Sequence, residues 1–295
     1  TGLIGDPSGK ASERSMLTLE QLAANVHGLR AQLGRYLDFS GSNAAQLINN
    51  ADWLCELRLL DFLRDIGKLF SINQMVVRDS VKQRLEAREQ GISYTEFSYA
   101  LLQAYDFVVL NDRYGCELQM GASDQWGNIT DGIDLIRRLR RKPAYGLTSP
   151  LVTKPDGSKF GKSESGNVWL DPELTRPFNF HQFWLHQGDA EAVKYLRYFT
   201  FVSTEEIAQI ETQSLAEPHK RIAQRRLADE VTRFVHGDDA LKSAQRASAV
   251  LFDGANLLEL SASELADAFA EAPRTELPRA ARHVSDAALL NVLLN

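Results

Sequence analysis

Up to about Pro172 the chain alternates between stretches of helical period and short apolar runs, and after it helical patterns follow one another with few strand signals. That switch constrains the fold more than any other feature. Alternating helices and strands are satisfied by a largely parallel sheet covered by helices, whereas a run of amphipathic helices needs only helix–helix packing. An α/β domain is therefore expected over residues 1–171, a helical domain over 172–252 and a helical tail or linker over 253–295. Thr18-Leu19-Glu20-Gln21 reads as a capping box opening a helix to about Tyr36. Leu57 to Ile66 reads as a helix with Gly67 as its C-cap, and Gln74 to Glu86 and the strongly apolar Glu96 to Leu110 as two more. Cys116 to Met120 and Tyr145 to Thr153 are the strand candidates. In the second part, Ala192 to Thr200, Glu205 to Gln213, Lys220 to Val235 and Asp239 to Leu251 read as helices punctuated by Pro172, Pro177 and Pro218. The opening Thr1-Gly2-Leu3-Ile4-Gly5-Asp6 reads as a strand end running into a loop, so residues are expected upstream of it.

Composition narrows the function classes. The 295 residues are 44% hydrophobic and 24% charged, as in soluble globular proteins. No apolar run reaches the roughly 18 residues of a membrane helix, and no secretory leader is read at the start. Cys55 and Cys116 form neither a disulfide framework nor a cysteine zinc site, and read as reduced thiols of a cytosolic protein. His181 and His186 lack metal-ligand spacing, so no metal site is expected. The net charge of −6 weakly disfavours a general nucleic-acid binder but not an enzyme that meets RNA through a local patch. Arg137-Arg138-Leu139-Arg140-Arg141-Lys142 suits either the solvated last turn of a helix or an RNA backbone contact. Arg221, Arg225 and Arg226 form a weaker cluster with the same two readings.

Four segments carry candidate chemistry. Gly5-Asp6-Pro7-Ser8-Gly9-Lys10 suggests a phosphate loop, but Ile4 stands where the first Gly of a Walker motif belongs and Ala11 where Ser or Thr does. With Lys10 and Arg14 the loop suits a charged ligand, or is a Gly/Pro-rich surface turn. Tyr99, Gln103 and Asp106 are spaced by four and three, so they share one helix face. An unpartnered buried carboxylate there costs several kcal/mol, roughly, so Asp106 must reach water, a structural partner or a ligand. Gln119 to Asn128 runs from a strand end through small residues into a helix. Ligands of open parallel sheets bind at that edge, where Asp124 can accept from ribose hydroxyls or simply N-cap the helix. Lys159-Phe160-Gly161-Lys162-Ser163 places two lysines in a Gly-rich loop able to close over a polyphosphate, although such loops are common. No Ser-His-Asp or Cys-His nucleophile pattern stands out, which favours chemistry driven by positioning and charge neutralisation.

In this order and spacing, Thr1 to Arg14, Gly91 to Phe107, Leu118 to Asn128, and Leu151 to Ser163 followed by Trp169-Leu170-Asp171 resemble the bacterial tyrosyl-tRNA synthetases, class I enzymes, over about the first 250 residues. Lys159 to Ser163 is similar to the second class I signature, Lys-Met-Ser-Lys-Ser. The resemblance implies a Rossmann-like, doubly wound catalytic domain followed by a helical domain, with an inserted dimer-interface segment at about 57–94. It implies a tyrosine–tRNA ligase that uses ATP, with Mg²⁺ on its phosphates, and takes L-tyrosine and tRNA(Tyr) as partners in a cytoplasmic homodimer. It further implies that Asp6, Tyr99 and Gln103 hold the tyrosine ammonium, that Asp106 accepts from the phenolic hydroxyl, that Gln119 lines the ring and that Gln125 stands near the carboxylate and α-phosphate. Gly121, Ala122 and Asp124 correspond to the ribose site and Leu151 and Val152 to the adenine site. Lys10, Arg14, Lys159, Lys162 and Ser163 correspond to the groups that meet pyrophosphate, Lys162 also touching ATP. Ala11 stands where the family usually has a second Lys. The family's first, His-containing signature and a Tyr that shares the phenolic hydroxyl would precede Thr1, and its S4-like RNA-binding domain would follow Asn295. The rival readings are a tryptophanyl-type synthetase and a non-catalytic RNA-binding protein descended from a synthetase; Asp106 with Gln103 and Tyr99 favours a substrate hydroxyl over an indole.

Overall fold

The computed structural model describes residues 2–4, 17–77, 81, 93–153, 160, 162–163, 166–252, 254–256, 260–261 and 264–265. They belong to two compact units, Thr1–Phe160 and Gly161–Asn295. The division falls upstream of the compositional switch.

In the first unit, α1 (Leu19–Leu33) opens on the expected capping box, with the Gln21 N–H donating to Thr18 Oγ1 at 3.2 Å and the Thr18 N–H to Gln21 Oε1 at 2.9 Å. Two short helices follow, α2 (Ala51–Leu54) and α3 (Leu59–Asp65). Gly67 does not cap α3; it starts a 3₁₀ turn, Gly67–Leu69, that tightens the chain before α4 (Ile72–Val76). Of the helix expected over 74–86, residues 78–80 and 82–86 lie outside the described residues. The apolar helix α5 (Tyr94–Tyr114) is longer than its periodicity suggests at both ends. Gly2–Ile4, expected as a strand end, is a 3₁₀ turn; a strand must pair its backbone groups with a neighbour, and none pairs with it among the described residues.

The sheet positions the site. Strands β1 (Leu118–Ala122) and β2 (Tyr145–Ser149) are parallel, in register from Leu118 opposite Tyr145 to Ala122 opposite Ser149. β2 ends at Ser149 rather than continuing to Thr153. The crossover is a 3₁₀ turn, Ser123–Gln125, leading into α6 (Trp126–Arg140). Parallel strands require such a connection, and a helix supplies it while covering a sheet face. α6 buries Ile129, Gly132, Leu135 and Ile136, a stripe at successive offsets of three, three and one that lies on α5. The core joins Ala104, Phe107 and Val108 of α5 to Leu135 and Ile136 of α6, with Ile66 from the end of α3. Gly132 lets the two helices approach closely: a Cβ there would lie 2.9 Å from Phe107 Cδ1.

In the second unit, β3 (Lys162–Ser163) and β4 (Gly166–Asn167) pair antiparallel. Helices α7 (Pro177–Leu185), α8 (Asp189–Phe199), α9 (Thr204–Ala216) and α10 (Ile222–Phe252) follow. α10 consists of two helical stretches broken at Gly237 (φ 85°), in keeping with the two helices expected over 220–251. Polar pairs tie the bundle together: His181 Nε2 lies 3.0 Å from Asp229 Oδ1, and Gln224 Nε2 donates to Asp189 Oδ1 at 2.5 Å. Burial would raise the Asp229 carboxyl, but the His181 and Gln245 side chains outweigh it and hold its pKa below the usual range. After α10, Leu260 is buried and Glu264 acts as a clasp. Its carboxylate accepts from the Ser261 N–H at 2.8 Å, Ser243 Oγ at 2.9 Å and Arg246 Nε at 3.0 Å.

Candidate active site

Two of the sequence-predicted groups meet at one edge of the parallel pair. Gly121 and Ala122 end β1, Asp124 and Gln125 lie in the turn that follows, and Leu151 and Val152 come just after β2. Because Ala122 is opposite Ser149, all six stand at the carboxyl ends of neighbouring strands. A Cβ on Gly121 would lie 3.0 Å from Gln125 Cβ, so a larger residue there would push on the Gln125 side chain. Neither Ser123 nor Asp124 caps the turn or the helix: Ala122 and Gln125 hold the cap positions, without side-chain cap bonds. Asp124 is exposed, with Gln125 Nε2 at 3.4 Å from its Oδ2.

α5 supplies Tyr99, Gln103 and Asp106. The Asp106 carboxylate accepts from Trp53 Nε1 at 2.7 Å and from Asn50 Nδ2 at 2.9 Å, one donor per oxygen. Burial raises its pKa above the usual carboxylate value, and the Asn50 and Trp53 bonds work against that rise. Of the possible recipients for this carboxylate, the structure therefore supplies structural partners. Each oxygen of an ionised carboxylate has two acceptor sites, so one per oxygen is left for a ligand donor. Asn50 and Trp53 escape a sequence reading. They stand three apart at the start of α2, which puts them on one side of a turn, yet nothing local links them to a residue more than fifty positions away.

Beside Asp106 lies a cluster of three amides. Asn128 Nδ2 donates to Gln103 Oε1 at 3.0 Å and to Gln125 Oε1 at 3.4 Å, while Gln103 Nε2 stands 3.5 Å from Gln125 Oε1. The helix face of Gln103 and the turn of Gln125 are thus brought together across α5 and α6. Gln119, on β1, has its Oε1 buried with no hydrogen-bond partner among the described residues. A buried acceptor of that kind is unusual in a folded interior and is satisfied by a bound water, ion or ligand donor.

Asp6, Lys10, Arg14 and Lys159 lie outside the described residues, as does Ala11. Lys162 and Ser163 form β3, and only their backbone is described. The basic stretch at the end of α6 is largely occupied within the unit. Arg137 and Arg138 both pair with Asp134, Arg138 Nη1 also donates to the Leu69 carbonyl at 3.1 Å, and Arg140 pairs with Asp112 at 2.6 Å. Arg141 is the left-handed C-cap of α6 (φ 55°). In the weaker cluster, Arg221 donates to the Leu185 carbonyl and Arg226 pairs with Glu206 and Glu230. Among the described residues no group of three or more His, Cys, Asp or Glu is placed to hold a metal ion.

Comparison with known proteins gives this geometry its family. The model of the tRNA synthetases class I (W and Y) matches residues 1–253, which admits either a tryptophan or a tyrosine enzyme. The tyrosine–tRNA ligase of Roseiflexus castenholzii is 57% identical over 280 residues, covering 95% of this chain and 66% of its own. That of Staphylococcus carnosus is 52% identical over 287 residues, covering 97% and 67%. The chain belongs to the tyrosyl-tRNA synthetase family. It spans about two thirds of the length of these curated relatives. Among solved structures, a C-terminally truncated mitochondrial tyrosyl-tRNA synthetase of Aspergillus nidulans superposes with a TM-score of 0.68 at 30% identity, over 85% of this chain and 74% of that one. The fold is accordingly that of the class I synthetases, Rossmann-like in its catalytic domain. No helix among the described residues is long and apolar enough to cross a membrane.

Proposed function

We propose that this chain carries the activation chemistry of a cytoplasmic tyrosine–tRNA ligase: it joins L-tyrosine to ATP and then transfers tyrosine to tRNA(Tyr). The observation that carries the reading is the grouping of Asp106, with its two side-chain donors, and the Gln103–Asn128–Gln125 cluster beside the carboxyl ends of β1 and β2. One end of the site then offers an acceptor for a phenolic hydroxyl, and the other offers amides and small residues for a carboxylate and a nucleotide.

In this reading Tyr99, Gln103 and Asp6 hold the substrate ammonium, Gln119 lies along the ring and Asp106 accepts a hydrogen bond from the phenolic hydroxyl. Gly121, Ala122 and Asp124 take the ribose, and Leu151 and Val152 flank the adenine. The tyrosine carboxylate attacks the α-phosphorus of ATP. The bond from that phosphorus to the bridging oxygen breaks, and pyrophosphate leaves with the Mg²⁺ that came with the nucleotide. Lys10, Arg14, Lys159, Lys162 and Ser163 meet the departing charge, and Gln125 donates to the α-phosphate region as charge develops. A terminal ribose hydroxyl of the tRNA then attacks the adenylate carbonyl, and AMP leaves. Phenylalanine is rejected because it would bury the Asp106 oxygens without their ligand donor, at about 1–3 kcal/mol. Arg141 and Lys142 are the cations of the basic stretch offered to RNA. Leu59 and Leu60, 70% and 79% exposed, support a homodimer through the inserted segment.

The test is exchange of labelled pyrophosphate into ATP by the complete protein, with tyrosine, phenylalanine and tryptophan compared. Exchange with tyrosine alone is expected. Exchange with tryptophan would move the reading to the tryptophanyl type, and ATP binding with no amino-acid-dependent exchange to a non-catalytic role.

A further inference from the structure

Asn128 touches no substrate in the proposed reading, yet it contacts two residues that do. It lies in the first turn of α6, half-buried. An amide nitrogen carries two N–H donors, and both are directed at glutamine carbonyls: Gln103 Oε1 at 3.0 Å and Gln125 Oε1 at 3.4 Å. This matters because a glutamine side chain can present either end. Rotation by half a turn exchanges an acceptor for a donor at almost no change in shape. With its Oε1 facing Asn128 Nδ2 at 3.4 Å and, through Asn128's hold on Gln103, Gln103 Nε2 at 3.5 Å, Gln125 turns its Nε2 the other way, where it stands 3.4 Å from Asp124 Oδ2. Gln103 Oε1, held at the same point, keeps one further lone pair.

We propose that Asn128 is a positioning residue that sets the amide polarity of both glutamines, so that Gln125 meets the reacting carboxylate and α-phosphate with N–H and Gln103 keeps an acceptor for the substrate ammonium. The inference rests on the proposed tyrosine-activation reading. Its chemistry is specific: a donor is required at position 128, and a side chain of the same shape without donors is worse than none. Asn128→Asp keeps the shape but offers only acceptors, which turns both glutamine Nε2 groups inward and both carbonyl oxygens towards the substrate. Asn128→Ala merely frees the two amides to sample both orientations.

The experiment is steady-state, tyrosine-dependent pyrophosphate exchange by the complete protein and its Asn128→Ala and Asn128→Asp variants, with thermal midpoints recorded for each. The expected order of kcat is wild type, then Ala, then Asp. The Ala variant should lose about tenfold and the Asp variant more, with tyrosine KM raised and ATP KM little changed. A residue that only fills space gives the opposite order, because Asp preserves the packing; Asp at or above Ala overturns the proposal. A second arm repeats Asn128→Ala in a Gln125→Ala background, where its cost in kcat should shrink to about twofold because the group it positions is gone. Losses that multiply in full overturn the proposal, even if the Asp variant fails to fold. Failure of the underlying reading is distinguishable, since the unsubstituted protein would then show no tyrosine-dependent exchange.

Discussion

A single carboxylate, Asp106, links the two halves of the tyrosine reading, and its environment makes predictions of its own. Burial favours its protonated form and the Trp53 and Asn50 donors favour the ionised one, with burial the stronger. A carboxyl whose folded pKa is raised makes the fold less stable as pH rises through the interval between the unfolded and folded values. Ligand binding runs the other way. Only the ionised form offers a free acceptor on each oxygen, so tyrosine affinity should fall on acidification at a higher pH than an ordinary aspartate would give. Tyrosine titrations across the acidic range check this, and an affinity flat through that range would contradict it. Trp53→Phe removes one donor while keeping most of the apolar bulk. Loss of a hydrogen bond to a charged acceptor is worth about 1.5–3 kcal/mol, so tyrosine should bind roughly tenfold or more weakly, with the pH midpoint moved further up. An unchanged midpoint would mean that Trp53 only packs. Tyr99, Gln103 and Asp106 could be picked out in the sequence because four- and three-residue spacing on a helix is a local signal. Their partners Asn50, Trp53 and Asn128 could not, because no local pattern reports a contact made across the fold.

Elements were legible where periodicity is strong and uncertain where it is not. The buried stripe of α6 follows directly from apolar residues at helical offsets, and so does the long apolar α5. Their closeness does not, because it depends on Gly132 meeting Phe107. Gly132→Ala would place a methyl 2.9 Å from Phe107 Cδ1, itself fully buried, so the helix pair must shift. Overpacking of this kind costs about 1–3 kcal/mol, to be read as a lower midpoint in chemical denaturation; a neutral substitution would show that the α5–α6 contact yields easily. The segment after α10 offers a second test. The Ser261 N–H, Arg246 and the Ser261 and Ser243 hydroxyls hold the Glu264 carboxyl down at about 2. A depressed carboxyl contributes stability that is present above its unfolded value and lost as pH falls through the folded one. Protection of the Ser261 amide from hydrogen exchange should therefore persist below the ordinary glutamate range and fade only near pH 2. Arg246→Ala should make it fade at a higher pH, and equal protection in both proteins would remove the clasp from the account.

For the whole molecule, the family accounts for the alternation of the first unit and the helical succession of the second. Leu59 and Leu60 are the most exposed apolar residues of α3, the pattern expected of a face covered by another subunit. In the dimer reading, Leu59→Glu with Leu60→Glu should convert the protein to a monomer in sedimentation velocity. A mass unchanged by the pair would place any subunit contact elsewhere. The basic stretch shows how much tertiary context decides. Five cations in six residues suggest an RNA contact, yet Asp134, Asp112 and the Leu69 carbonyl occupy three of them inside the unit.

The sequence by itself determined most of the longer helices, the two candidate strands, the switch from alternating to helical architecture and the family, since these depend on local spacing and on strings of residues that survive without coordinates; it did not reveal α2, α7 or the β3–β4 pair, which are too short or too weakly periodic to leave such a signal. It also placed the nucleotide candidates at a strand end, because small residues before a helix start are a local signature. Only the tertiary structure decided that β1 and β2 lie side by side in parallel, so that 121–125 and 151–152 share one edge. It alone gave Asp106 its two donors, bound Gln103 to Gln125 through Asn128, and paired Arg140 of the basic stretch with Asp112 and Arg138 with the Leu69 carbonyl on the surface of the unit. Those outcomes depend on which surfaces of distant segments meet when the core of α3, α5 and α6 closes, and that is fixed by packing and by the need to pair buried polar groups.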